Sequence, residues 1–170
     1  MVAHVTRIWP LLGLTAVLSI APAVAVANPH QFGDFTISVS APDNPDAGSY
    51  QIVVEQGGLP LTRLQADFAG EIGATFVGDL TNDGAFEVVV VFANGAQQES
   101  LFHVYSWEVF LLAPLEVAKL NETQRQGYQG NDTVSLKDGK LQRSFQLALD
   151  GPTQTRTLEY VPATGQWVDL

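Results

Sequence analysis

Seven consecutive residues, Phe86-Glu87-Val88-Val89-Val90-Val91-Phe92, constrain this chain more than any other stretch. Side chains of a strand point alternately to its two faces, so a strand with one wetted face alternates apolar and polar residues. Here valine fills both phases. Such a strand needs cover on both sides and belongs at the centre of its sheet. Around it the pattern is mostly of period two. "DFTISVS" (34–40) sets Phe35, Ile37 and Val39 against polar neighbours, and "SYQIVVE" (49–55) follows the turn-forming "APDNPDAG". "LTRLQADF" (61–68) reads as a third strand or as a helix, and "ATFVGDL" (74–80) as a further strand. "SLFHVYSW" (100–107) pairs with the valine strand across "ANGAQQE". "PLEVAKLNETQRQ" (114–126) is a loop or a short helix, and "DTVSLKDGKLQRSFQLAL" (132–149) and "RTLEYVPATGQWVDL" (156–170) close the chain. Asp138-Gly139 stands between alternating runs as a type I′ hairpin requires, because glycine accepts positive φ. Pro162 to Gly165 forms a similar connection. Short strands punctuated in this way predict an all-β fold, an antiparallel sandwich or barrel, in a single domain.

Residues 1–27 stand apart from that domain. Arg7, an apolar run from Ile8 to Ile20 and small residues before a polar boundary follow the order of a secretory signal peptide. Ala25-Val26-Ala27 is the best cleavage site, giving a chain that starts at Asn28. Ala23-Val24-Ala25 is the second choice, and a retained anchor is the alternative. The run is short for a span of about 20 residues. With no cysteine in the chain, neither an acylated lipoprotein cysteine nor a disulfide is available. Residues 28–170 must then hold together by their core, for which that length suffices. No second apolar run is long enough to span a bilayer, so the remainder is expected to be soluble.

Eight basic against 18 acidic residues give a formal net charge of −10. Arg7 is the only one of these charges within residues 1–27, so its loss leaves the rest more acidic still. Such a surface disfavours nucleic acid and anionic lipid, and attracts a cationic protein or a divalent metal. Acidity that serves only solubility is the plainer reading. Beyond residue 27 the histidines are His30, at the start, and His103, which lies inside a strand and reads as structural or surface-lying. There is no G-x-S-x-G elbow, no H-E-x-x-H and no cysteine nucleophile, so an enzyme is not expected and no catalytic residue or cofactor is assigned. A carboxylate pair needs no fixed spacing and stays open on sequence grounds. Asn121 and Asn131 head the sequons "NET" and "NDT", which are read as chance matches.

"DLTNDGAFE", Asp79 to Glu87, places oxygens at the first, third and fifth positions and glycine at the sixth, as a calcium loop begins. The twelfth position is Val90 and strands flank the segment, so an EF-hand is excluded. A calcium-bearing propeller would need several copies. The favoured reading is a turn in which Asp79 and Thr81 bond amides and Asp83-Gly84 makes the reversal. Calcium held by Asp79, Thr81, Asp83 and Glu87 is the alternative.

Taken in order, several of these segments resemble the periplasmic inhibitors of invertebrate-type (I-type) lysozyme. The Asp79–Glu87 element before a valine-rich strand is similar to their D-L-N-x-D-G-x-x-E. "LAPL" (112–115) resembles Leu-Pro-Pro-Leu, and "GYQGND" (127–132) resembles Gly-Tyr-x-Gly-His-Asp, with Asn131 in place of histidine. "LQRSF" (141–145), "TRTLEY" (155–160) and "GQW" (165–167) complete the series. The resemblance implies an antiparallel β-sandwich, export to the periplasm and a basic lysozyme as partner. It also implies an exposed loop, after the valine-rich strand, that occludes the lysozyme cleft without any cofactor or metal. The family's loop carries Ser-Gly-x-Tyr. Here the matching residues are Asn94, Gly95, Ala96 and Gln97, followed by Gln98, with Asn94 at the serine position and Gln97 at the tyrosine position. Another class of function left by the sequence is a non-inhibitory structural or binding β-module, with calcium as a stabiliser.

Overall fold

A computed structural model of the chain describes residues 24–26, 28–42, 48–68, 70–93 and 99–170. Residues 1–23 and 27 and all of Asn94–Gln98 lie outside the described residues, whereas Val24–Val26, expected within the leader, are described and pair with Pro42, Ala41 and Ser40. The first sheet holds β1 (Val24–Val26), β2 (His30–Phe32), β3 (Phe35–Pro42), β4 (Ser49–Gln56) and β5 (Leu59–Asp67). β3 pairs with β4 and β4 with β5, while β1 and β2 both pair with β3. The second sheet is the meander β6 (Glu71–Gly78), β7 (Glu87–Ala93), β8 (Leu101–Glu108) and β9 (Leu111–Leu115). A single helical turn, α1 (Glu122–Arg125), precedes the third sheet, the meander β10 (Thr133–Lys137), β11 (Lys140–Leu147), β12 (Gln154–Val161) and β13 (Gln166–Asp169). All pairings are antiparallel. The fold is an all-β antiparallel sandwich in three sheets, and the segment 61–67 is strand, not helix.

The valine run explains the layering. Val88, Val90 and Phe92 pack with Ile37, Val39, Tyr50, Ile52 and Val54 of the first sheet. Val89 and Val91 pack with Leu141, Phe145, Leu158, Tyr160 and Trp167 of the third. The second sheet is therefore the filling, with a separate core on each face. Glu87 through Phe92 are all buried. Each such valine side chain contributes about 1.5–3 kcal/mol of burial.

Connections follow local chemistry at most places. Asp138 and Gly139 take φ of 51° and 74° between the paired Lys137 and Lys140, as a I′ turn needs. Gly165 (φ 67°) closes the β12–β13 turn, and a Cβ there would lie 2.6 Å from the Glu116 carbonyl oxygen. Its own carbonyl accepts from the Ala118 amide at 2.7 Å, so the segment after β9 docks on this turn. Asn121 is spent on capping α1: its side chain accepts from the Gln124 amide at 2.9 Å, and Gln124 returns a bond to the Asn121 amide at 3.0 Å. Asn131 donates from Nδ2 to Gln146 at 3.0 Å. The β8–β9 turn breaks the pattern. Val109 and Phe110 both have positive φ, 41° and 67°, between the paired Glu108 and Leu111. Among the described residues no helix is long and apolar enough to cross a membrane.

Candidate functional site

The residues expected to contact a partner, Asn94, Gly95, Ala96, Gln97 and Gln98, lie outside the described residues, but both limbs that carry them are described. The ascending limb is β7, buried on both faces until Ala93 emerges. The descending limb is Glu99 and Ser100, and from Leu101, opposite Phe92, the chain is again paired. The loop thus leaves from one end of the middle sheet. Exposed Glu71, opposite Ala93, stands at this end, as does exposed Asp67 at the end of β5.

Glu99 and Ser100 are tied down by charge. The Ser100 amide donates to Asp132 Oδ2 at 2.8 Å, and the same oxygen accepts from Arg143 Nη2 at 2.6 Å. Arg143 Nη1 donates to Glu99 Oε1 at 3.3 Å, which also takes the Leu120 amide at 2.9 Å. Arg125 pairs with the other Glu99 oxygen at 3.0 Å. The Arg143 side chain is 1% exposed and that of Asp132 4%. A charge buried so deeply requires close partners, because an isolated one is strongly disfavoured away from water. Three rings complete the enclosure: Phe102, Phe145 and Trp167, with centroids 5.4, 5.5 and 5.9 Å from the guanidinium carbon. Tyr128 packs on Phe145 at 5.2 Å. Burial, with Asp132 adjacent, pushes the Tyr128 hydroxyl up to about 12.

Residues from three of the motif segments therefore meet in one buried cluster: Tyr128 and Asp132, then Arg143 and Phe145, then Trp167. Sequence reading noted these segments but not their common destination, and it missed Glu99. One signal was available. Leu141, Arg143 and Phe145 share a phase of β11, so an arginine sits on the inward face of a strand and must find anions there.

On the opposite face of the middle sheet, His103 is enclosed by Phe92 at 5.0 Å and Phe68 at 5.7 Å. Its Nδ1 is 2.7 Å from the Tyr50 hydroxyl, which is 2.7 Å from the Tyr105 hydroxyl. Burial lowers the His103 pKa, and burial reinforced by Tyr105 raises that of Tyr50. This is a packed polar link between two sheets. His30 Nε2 lies 2.8 Å from Thr75 Oγ1 in a similar bracing role.

The Asp79–Glu87 element is a turn with its oxygens engaged. Asp79 accepts from the Asp83 and Gly84 amides at 3.1 and 2.9 Å, and Asp83 from the Ala85 amide at 2.8 Å. Thr81 departs from expectation: its hydroxyl faces Glu87 at 3.4 Å and bonds no turn amide. Glu87 is fully buried, and takes the Leu80 amide at 2.6 Å and the Ser106 hydroxyl at 3.1 Å. Its burial raises the carboxyl pKa, partly offset by those donors. The buried carboxylate thus gathers the Leu80 and Thr81 amides and the Ser106 hydroxyl. Among the described residues no three His, Cys, Asp or Glu side chains gather as a metal site. An open depression of about 310 Å³ is lined by Leu147, Gln154, Arg156, Asp169 and their neighbours. Its one cation, Arg156, is committed to Asp169 at 2.6 and 2.7 Å.

No family model matches the chain, and no curated protein or solved structure does.

Proposed function

We propose that the chain is an exported, periplasmic inhibitor of a basic lysozyme of the invertebrate type, and that it acts by occlusion through Asn94–Gln98 without catalysis or cofactor. The observation that carries this reading is the clamp on the descending limb. Glu99 and Ser100 are fixed by Arg143 and Asp132, so a short polar loop is held on a rigid base. Fixing the ends of a binding loop lowers the ordering entropy lost on association. The acidic balance, with Asp67 and Glu71 exposed at the same end, suits a cationic partner and accelerates encounter. Gly95 lets the backbone approach the partner closely. Asn94 and Gln97 offer hydrogen bonds worth roughly 0.5–1.5 kcal/mol each. Gln97 lacks the area of an aromatic anchor, so modest affinity is expected.

The test is an inhibition assay of residues 28–170 against purified invertebrate-type lysozyme. Asn94→Ser with Gln97→Tyr should tighten inhibition, and Gly95→Trp should abolish it at unchanged melting temperature. Strong inhibition that survives Gly95→Trp would move the site elsewhere. Absence of inhibition by every version, including the tyrosine one, would favour a non-inhibitory module. Expression with the leader in a Gram-negative host should give a periplasmic protein beginning at Asn28. Recovery from membranes with Met1 intact would refute export by cleavage.

A further inference from the structure

The β8–β9 turn lies at the other end of the middle sheet, and nothing above gives it a role. β8 runs from Leu101, next to Glu99 and Ser100, to Glu108, about 23 Å away at ~3.3 Å per residue. Val109 is 90% exposed, Phe110 62% and Leu111 58%. Both tip residues hold positive φ, a conformation uncommon outside glycine, asparagine and aspartate and an outlier for a β-branched residue such as Val109. The tip is nonetheless braced. The Thr62 hydroxyl donates to the Phe110 carbonyl, and the Phe110 ring stands edge-on to Trp107 at 6.1 Å. Trp107 is itself stacked on buried Phe86 at 5.4 Å. The apolar groups are thus presented on a rigid support.

We propose that Val109–Phe110, with the adjoining Leu111, is a preorganised knob that docks into an apolar pocket on a cationic protein. Charge selects this occupant. Glu108 adjoins the tip, Asp34 lies on the turn that leads into Phe35, and Phe35 packs on Trp107 at 5.7 Å. Arg63 is the only Lys or Arg in β2–β5, β8 and β9. A second copy would bring the same acids, and the chain's net −10, against each other, and an anionic membrane would repel them. A pocket rimmed by Lys or Arg satisfies both the apolar tip and its acidic surround.

The test uses residues 28–170 and a labelled synthetic peptide of alternating Leu and Lys. An all-Lys peptide of equal charge and phosphatidylcholine vesicles serve as controls. The Leu/Lys peptide should bind saturably, at least about tenfold more tightly than all-Lys, and weaken with salt. Val109→Asn with Phe110→Gly, the residues an I′ turn favours, should lower that affinity by about tenfold while melting no lower than the parent. Leu111→Lys should weaken it as well, and Gly95→Trp should leave it unchanged. Equal binding of all-Lys, or no loss in the turn variant, would overturn the proposal. So would preferential vesicle binding, which would assign the tip to a membrane, or concentration-dependent dimerisation abolished by the turn variant, which would assign it to a second copy.

Discussion

At one end of this molecule charge is buried, and at the opposite end hydrophobic side chains are exposed. Arg143 and Asp132 lie inside, against aromatic rings, and hold Glu99 and Ser100. Val109 and Phe110 stand in water at the β8–β9 turn. Neither arrangement is the most stable choice for its place. Buried ion pairs are often no better than packed hydrophobes, and exposed apolar groups gain nothing from burial. What they share is rigidity: each fixes a short segment of backbone in one position. The contrast teaches that the two ends are fixed by different means, one by an ionic clamp and the other, against unfavourable φ, by the Thr62 hydroxyl and the Trp107 ring.

The largest effect should come from breaking the clamp. Arg143→Met leaves Asp132 and Glu99 without their shared cation and should cost about 3–5 kcal/mol in denaturant unfolding. Replacing Arg143 and Asp132 together by leucine should recover much of that stability yet free Ser100, whose amide should then exchange hydrogen faster. If the double replacement leaves Ser100 protected, the charges do not fix the loop base. Next comes a transplant between turns. Asp138→Val with Gly139→Phe imposes the Val109–Phe110 sequence on the ordinary hairpin and should cost about 2–4 kcal/mol, since non-glycine residues at positive φ cost roughly 1–3 kcal/mol each. The reverse change, Val109→Asn with Phe110→Gly, should gain about 1 kcal/mol net of the lost ring contact, or roughly 3 °C in melting temperature. A loss instead of a gain would mean that the tip is not strained.

Smaller effects concern titration. Burial lowers the His103 pKa from 6.5, so the unfolded chain takes up this proton first as pH falls. Stability should therefore decline as pH drops below 6.5, until the lowered folded value is passed. His103→Gln should flatten that limb, with His30→Gln, also lowered by burial, as the comparison. Glu87 runs the other way. Its raised pKa means that acidification toward 4.5 favours the folded state, and Glu87→Gln should remove that slope. Smallest is the effect of calcium. With Asp79 already bonded to two amides, micromolar calcium or a chelator should leave the melting temperature within error, and a rise of several degrees would restore the metal reading.

The same pair of turns shows how far sequence reaches. Asp138-Gly139 is legible because its residues prefer the geometry they adopt. Val109-Phe110 is not, because the pairing of Glu108 with Leu111 imposes positive φ on residues that resist it. The valine run declares a central strand covered on both faces, and the short strands punctuated by turns predict the sandwich or barrel. That the cover consists of two further sheets is a long-range fact, as is the meeting of Asp132, Arg143 and Glu99 from distant segments. The capping box at Asn121 was readable in "NETQ" but was passed over as a sequon. The short segment 114–126 held both readings, since a four-residue helix leaves no periodicity to detect.

The three sheets also occupy three successive stretches of the chain, 24–67, 71–115 and 133–169. A ribosome delivers them in that order. The second sheet can settle on the first as soon as it emerges, burying Val88, Val90 and Phe92. Its other face, with Val89, Val91 and Val104, then stays bare until the last forty residues arrive. Synthesis is thus safest when fast at its end: a pause or truncation before β10 leaves a stack of two sheets with a sticky valine floor, a natural substrate for chaperones and a seed for aggregation.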